Sequence, residues 1–212
     1  MARTGRPRNF DQDAALEGAM LLFWEQGYDG VSVDQLREAM GNLSTASIYG
    51  TFGSKQELFR LALERYVRTY GQVTEHLFDT ALDPRQAIES ALCGSAEMQT
   101  GEGHPPGCLV ALSVTVHPPS SAELSALVAA QRLKNRLGIY NCMERALQHR
   151  SGSTTAKVQA VATIYEAFLL GISTQVRDGV PLSAITAAIT VLMGAWDALL
   201  FGEPAPLSPA TS

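Results

Sequence analysis

The sequence predicts an all-α protein of about nine helices, with a three-helix head at the N-terminus and a larger helical body behind it. Three observations predict this. Apolar residues recur at helical spacing through most of the 212 residues. Helix-start and helix-stop residues cut that pattern into short lengths near the N-terminus and longer ones after it. Between residues 32 and 52 two very short helices are joined by one tight turn.

Residues 1–10 read as a basic arm, with Arg3, Arg6 and Arg8 and no acid before Asp11. Residues 11–27 form an amphipathic helix with Ala15, Leu16, Ala19, Leu22 and Phe23 on one face, Trp24 as a head-core anchor, and an end at Gly27-Tyr28. Ser32 caps the next helix, which presents Leu36, Ala39 and Met40. Gly41-Asn42 ends it, because both residues tolerate the left-handed backbone of a helix C-terminus. Ser44 caps a helix of about Thr45 to Thr51. Ile48 and Phe52 point inward from it, and Thr45, Ala46, Ser47 and Tyr49 outward. Ser54 then opens a further helix, with Lys55 first and Glu57 placed for a capping box. Two short helices on one turn are a helix-turn-helix, whose second helix lies in a DNA major groove.

The helix from Ser54 is expected to run to Leu82, where Asp83-Pro84 breaks it and a helix of Arg85 to Thr100 follows. Residues 101–107, GEGHPPG, are a loop. Cys108 to Val116 is ambiguous between strand and buried helix on periodicity alone, and the helical surroundings favour helix. After a break at 117–121 come a helix to His149, a Ser-Gly-Ser linker, and helices of Thr155 to Arg177 and Leu182 to Phe201. The domain division is 1–53 for arm and head, 54–201 for the body, and 202–212 for a Pro/Ser-rich disordered tail. The last two helices are apolar over more than one face. Val161, Ile164, Tyr165, Phe168 and Leu169 crowd one, and Ile185, Ile189, Met193, Trp196 and Leu200 the other. One stripe suffices to pack a helix on its own body, so the surplus points to a second partner.

Composition narrows the function. The net charge is −5, and residues 1–55 carry five Lys/Arg against seven Asp/Glu. This argues against a protein that coats nucleic acid generally, while locally placed charge still contacts phosphate. No apolar run precedes Ala14 and no uninterrupted one reaches ~18 residues, so neither a signal peptide nor a membrane span is expected, and the reading is cytoplasmic. Cys93, Cys108 and Cys142 are odd in number and unrelated in spacing, as reduced thiols are. No Gly-x-Ser-x-Gly, His-Glu-x-x-His, phosphate-loop or dinucleotide motif is present, so an enzyme is not expected, nor a cofactor.

The stretch from GRPRNFDQDAALEGAMLLFWEQGYDGVSVDQL through SIYGTFGSKQELFRLALERY, residues 5–66, resembles the TetR family of bacterial transcriptional repressors. Basic arm, helix ending in Gly-Tyr, Ser-Val helix start and aromatic-Gly-x-Phe-Gly-x-Lys turn arrive in order. The rest of the chain matches only in length and helical character. The resemblance implies a homodimer built on the last two helices, reading a palindromic DNA operator. Base readout then falls to the Thr45 and Ser47 hydroxyls and the Ala46 methyl. Tyr49, Lys55 and the amides near Ser54 are expected on phosphate, as is Ser32, with capping alone the alternative for both serines. Arg6 and Arg8 reach phosphate or the adjacent minor groove.

The resemblance also implies a small-molecule effector in the body that releases DNA, apolar or electrophilic in character. Leu109, Leu112, Tyr140, Tyr165, Phe168 and Trp196 are its expected lining, against the alternative that they are core. Gly107-Cys108-Leu109 resembles a Gly-Cys-Leu element of one branch, some members of which sense electrophiles or oxidants through this cysteine. A helix N-terminus at Cys108, with His104 nearby, is expected to lower the thiol pKa, against the alternative that Cys108 is a small buried core thiol. His104, Cys108 and His117 match no zinc spacing, and no metal is expected. The competing readings are a small helical enzyme, and a TetR-like protein that has lost DNA binding and serves as an interaction module. The acidic head and uncharged recognition helix keep the latter open as the alternative to the DNA-binding repressor.

Overall fold

The structure is a computed structural model that describes residues 10–113, 122–148 and 154–202. Among the described residues it is helical throughout, without strands: α1 (Gln12–Gly30), α2 (Val33–Ala39), α3 (Thr45–Phe52), α4 (Lys55–Thr69), a 3₁₀ segment (Tyr70–Phe78), α5 (Pro84–Thr100), α6 (Leu109–Leu112), α7 (Ala122–Leu147), α8 (Thr155–Arg177), α9 (Leu182–Gly194) and α10 (Trp196–Phe201). Arg3, Arg6, Arg8 and His117, and the expected tail after Gly202, lie outside the described residues.

The head forms around α1. Asp11 caps it, its carboxylate accepting from the amides of Asp13 and Ala14 at 3.0 and 3.1 Å. Ala15, Ala19, Met20, Phe23 and Trp24 are buried, whereas Leu16 and Leu22 from the expected face are half-buried. Gly18 is where α2 crosses: a Cβ there would stand 2.1 Å from the Ala39 carbonyl oxygen. Ala39 therefore meets α1 through its backbone, and its side chain is exposed rather than in the core as expected. Leu36, Met40, Ile48 and Phe52 close the head core against Leu58, Phe59 and Ala62 of α4.

The long helix expected from Ser54 to Leu82 ends at Thr69 and tightens into the 3₁₀ segment. The Thr69 hydroxyl folds back to donate to the Arg65 carbonyl at 2.8 Å, a local bond that competes with helix continuation, and Gly71 follows. Asp83 then caps α5, with Pro84 in its first position as the sequence predicts. In the body, α5 packs against the 3₁₀ segment and α7, α8 and α9. Ile88, Leu92, Ile139, Met143, Tyr165, Ile172, Ile185 and Trp196 fill the core between them.

Two further expectations are corrected. The apolar stretch from Cys108 yields only the four-residue α6 within the described residues. The last helix is broken at Gly194-Ala195 into α9 and α10. Read as one stretch, Leu182–Phe201 is long and apolar enough to cross a membrane, against the expectation of no such segment. Its outer side carries Val191, 75% exposed, and neighbouring α8 carries Ile164, 45% exposed.

Candidate nucleic-acid interface and body cavity

Local capping sets the reading head. Ser32 and Gln35 form a full capping box, the amide of Ser32 donating to Gln35 Oε1 at 2.8 Å and the amide of Gln35 to Ser32 Oγ at 3.2 Å. Gly41 and Asn42 take positive φ values of 81° and 59°, turning the chain into α3. Arg37 pins that turn, its Nε donating to the Leu43 carbonyl at 3.3 Å while NH1 pairs with Asp34. Ser44 caps α3 through the Ser47 amide at 3.1 Å, and its hydroxyl also lies 2.8 Å from that of Ser47.

Thr45, Ala46, Ser47, Gly50 and Thr51 are exposed on α3, and Ile48 and Phe52 are buried beneath them. Tyr49 is half-buried, its ring leaning on the head core. Ser54 caps α4 through the Glu57 amide at 3.1 Å. The expected capping box does not close there, because the Glu57 carboxylate turns to Arg60 instead. Lys55 sits with its ammonium 4.5 Å over the Tyr28 ring. Burial pulls its pKa down, with Asp29 opposing. Ser32, Thr45, Ala46, Ser47 and Ser54 are exposed, and Tyr49 and Lys55 half-buried, on or next to α2, α3 and α4.

In the body a cavity lies between α4 with the 3₁₀ segment, α5, α6, α7 and α8. Tyr66 and Val67 close it on the side of the head, and Val73, Met98, Val110 and Leu169 make its walls largely apolar. Glu166 and Asn135 bring polar atoms to it. Glu166 is 4% exposed. Its Oε2 accepts from Arg136 Nε at 2.5 Å, while its Oε1 and Asn135 Oδ1 are buried without a partner.

Of the residues expected to line an effector site, this cavity contains Cys108. Leu109 is turned into the head core. Leu112 faces openings beside α1. Tyr165 and Trp196 pack edge-to-face at 5.7 Å in the body core, with Phe168 partly buried against it. Burial pushes the Tyr165 hydroxyl up to about 12. Tyr140 lies near the surface, bonded to Glu144 at 2.5 Å. Cys108 receives a hydrogen bond from the Tyr66 hydroxyl at 3.1 Å. Its pKa is raised, not lowered as expected, because burial outweighs that bond and the Val110 and Ala111 amides. A helix of four residues offers too little dipole to reverse this.

The junction of head and body rests on Trp24, expected in the head core, on His104 and Gly107 of the 101–107 loop, and on side chains of α4, the 3₁₀ segment and α8. Trp24 Nε1 donates to the Gly107 carbonyl at 3.1 Å. Its indole stacks on His104 at 4.7 Å and meets the edges of Tyr66 and Tyr70 at 4.8 and 4.9 Å. Arg177, at the end of α8, donates to the carbonyls of Pro106 at 2.9 Å and Trp24 at 3.0 Å. Gly107 must be glycine here: its φ is +86°, and a Cβ would stand 2.6 Å from Leu112 Cδ1. The Pro-Pro-Gly of the 101–107 loop was the signal available, since such a turn delivers free carbonyls at a fixed place.

Residues 15–62 match the family described as bacterial regulatory proteins, tetR family. Over 205 residues the chain is 29% identical to the HTH-type transcriptional repressor ComR of Escherichia coli (strain K12), covering 92% of this chain and 93% of that protein. It is 28% identical to the repressor BdcR of the same organism over 188 residues, 86% of this chain and 87% of that one. A cysteine mutant of the TetR family transcriptional regulator CifR, complexed with 26-bp double-strand operator DNA, superposes with a TM-score of 0.81 at 33% identity. That likeness covers 90% of this chain and 100% of the other.

Proposed function

The chain belongs to the TetR family of bacterial regulatory proteins, and from that premise we propose that it is a dimeric cytoplasmic repressor that holds a palindromic operator through α3 and releases it when a small molecule enters the body cavity. The observation that carries the reading is the shared helix. α4 packs into the head core through Leu58, Phe59 and Ala62, and closes the cavity through Tyr66 and Val67. A ligand meeting Tyr66 therefore bears on the element that aims α3.

Thr45, Ala46 and Ser47 are placed for base edges, and Tyr49, Lys55 and the amides behind Ser32 and Ser54 for phosphate. Arg6 and Arg8 extend the phosphate contacts. An uncharged α3 leaves much of the specificity to DNA shape and water. The exposed Ile164 and Val191 support pairing of α8 and α9 with their copies across a two-fold, which accounts for the apolar surplus of Leu182–Phe201 without a membrane. Half-sites then lie one helical turn, ~34 Å, or a multiple apart. A head that has lost DNA binding is less favoured, because a 33%-identical relative of the same fold is complexed with operator DNA. The test is a footprint on the DNA flanking the chain's own gene at two salt concentrations. A protected palindrome that weakens steeply with salt supports the repressor; a folded dimer that protects nothing there and retains no fragment of genomic DNA at low salt refutes it.

A further inference from the structure

Resting on the reading that the cavity takes the effector, we propose that this effector is a small molecule with an apolar body and a hydrogen-bond-donating head, an amine or a hydroxyl, seated on Glu166 and Asn135. A carboxylate can only accept. Glu166 spends Oε2 on Arg136 and leaves Oε1 buried without a partner, on a residue that lines the cavity. Asn135 Oδ1 is the second such acceptor, and it stands next to Arg136 on α7. Buried acceptors are costly to leave unmade, and native structures keep few of them.

Among the other polar groups lining the cavity, Gln99 donates to Ser95 and accepts from Ser173. Thr74 donates to the Gly71 carbonyl, and Arg132 to those of Val110 and Ser113. What these two acceptors lack is a donor, and the largely apolar walls of the cavity take the remainder of the ligand. Charge sets the head further. Arg136, its side chain 56% exposed, already balances Glu166, so a neutral hydroxyl suits the site as well as an ammonium. A carboxylate head would face two acceptors and be rejected.

Four probes of one shape test this: benzylamine, benzyl alcohol, toluene and benzoate, titrated calorimetrically into the full-length protein without DNA. Benzylamine and benzyl alcohol bind about tenfold tighter than toluene, the worth of one good hydrogen bond to a charged group. Benzoate is the weakest. E166Q lowers the benzylamine affinity about tenfold and leaves toluene unchanged; Arg136 is exposed enough to be solvated in that variant. Asn135→Leu, away from the ion pair, narrows the gap between benzyl alcohol and toluene and serves if E166Q fails to fold. Toluene equal to the donors, benzoate tightest, an unmoved amine affinity in E166Q, or no probe bound would each overturn the proposal. Operator binding is measured separately. Loss of donor preference with the operator still bound leaves the repressor reading standing, and donor preference without any operator does the reverse.

Discussion

Trp24→Phe should loosen the head from the body. The indole is 2% exposed, and its Nε1 makes the bond to the Gly107 carbonyl. Phenylalanine removes the donor and leaves a buried carbonyl unsatisfied, at about 1–3 kcal/mol. The smaller ring also loses part of its stacking on His104 and its edge contacts with Tyr66 and Tyr70, pairs worth about 0.5–1.5 kcal/mol each when intact. A total of roughly 2–4 kcal/mol is expected, or a melting point lower by about 5–12 °C in a chain of this size. Thermal unfolding followed by circular dichroism gives the total. Hydrogen exchange gives the location: faster exchange of α1 and the 101–107 loop, with α5 and α9 unchanged. A loss below about 0.5 kcal/mol, the range of an ordinary surface substitution, would refute the view that this contact fastens the two halves.

Three other changes have defined outcomes. Gly18→Ala drives a methyl into the Ala39 carbonyl, which backbone cannot yield cheaply; a cost of about 2 kcal/mol or more is expected by denaturant titration, with operator binding impaired. Lys55→Ala should weaken DNA binding about equally on all sequences and reduce the log–log salt slope by about 1, while an unchanged slope would take Lys55 off the phosphate. Because burial raises the Cys108 thiol, its alkylation by iodoacetamide should be slow at neutral pH and climb as pH rises through the ordinary thiol range and beyond. Tyr66→Phe removes a bond that favours the thiolate and should slow it further; a fast reaction at neutral pH would restore the activated-thiol expectation.

The head was legible because its instructions are local. Ser32, Ser44 and Ser54 each cap the helix that follows, and Gly41-Asn42 takes the positive φ its residue types allow. The cavity was not, because it depends on which faces of several distant elements meet. The resemblance put Tyr165 and Trp196 among the expected lining, with core as the alternative, and they pack in the body core, where large rings bury most area. A better signal was present. Glu166 is a charged residue inside the apolar stripe of α8, next to Tyr165 and one turn before Leu169 and Leu170. A carboxylate at such a position is expensive unless it is paired or used, and Arg136 satisfies only half of it. The break at Thr69 was equally hidden, since Thr, Tyr and Gly in sequence weaken a helix without forbidding it.

The junction also constrains how a ligand could act. From Leu58 to Tyr66 is about two turns of α4, roughly 12 Å, a span over which a helix behaves as a rod. Tyr66 is at the cavity end of that rod, and its ring meets Trp24 edge-on at 4.8 Å. Trp24 in turn is held by Gly107 and, through its carbonyl, by Arg177 of α8. A displacement of Tyr66 therefore cannot be absorbed by α4 alone. It must carry the head along or break the contacts around Trp24, and a packed interface of this kind shifts between discrete arrangements rather than deforming continuously. On this argument a Trp24→Phe protein that still folds should bind operator yet respond weakly to an effector that releases the parent protein. Equal release from both would place the transmitting contact elsewhere than Trp24.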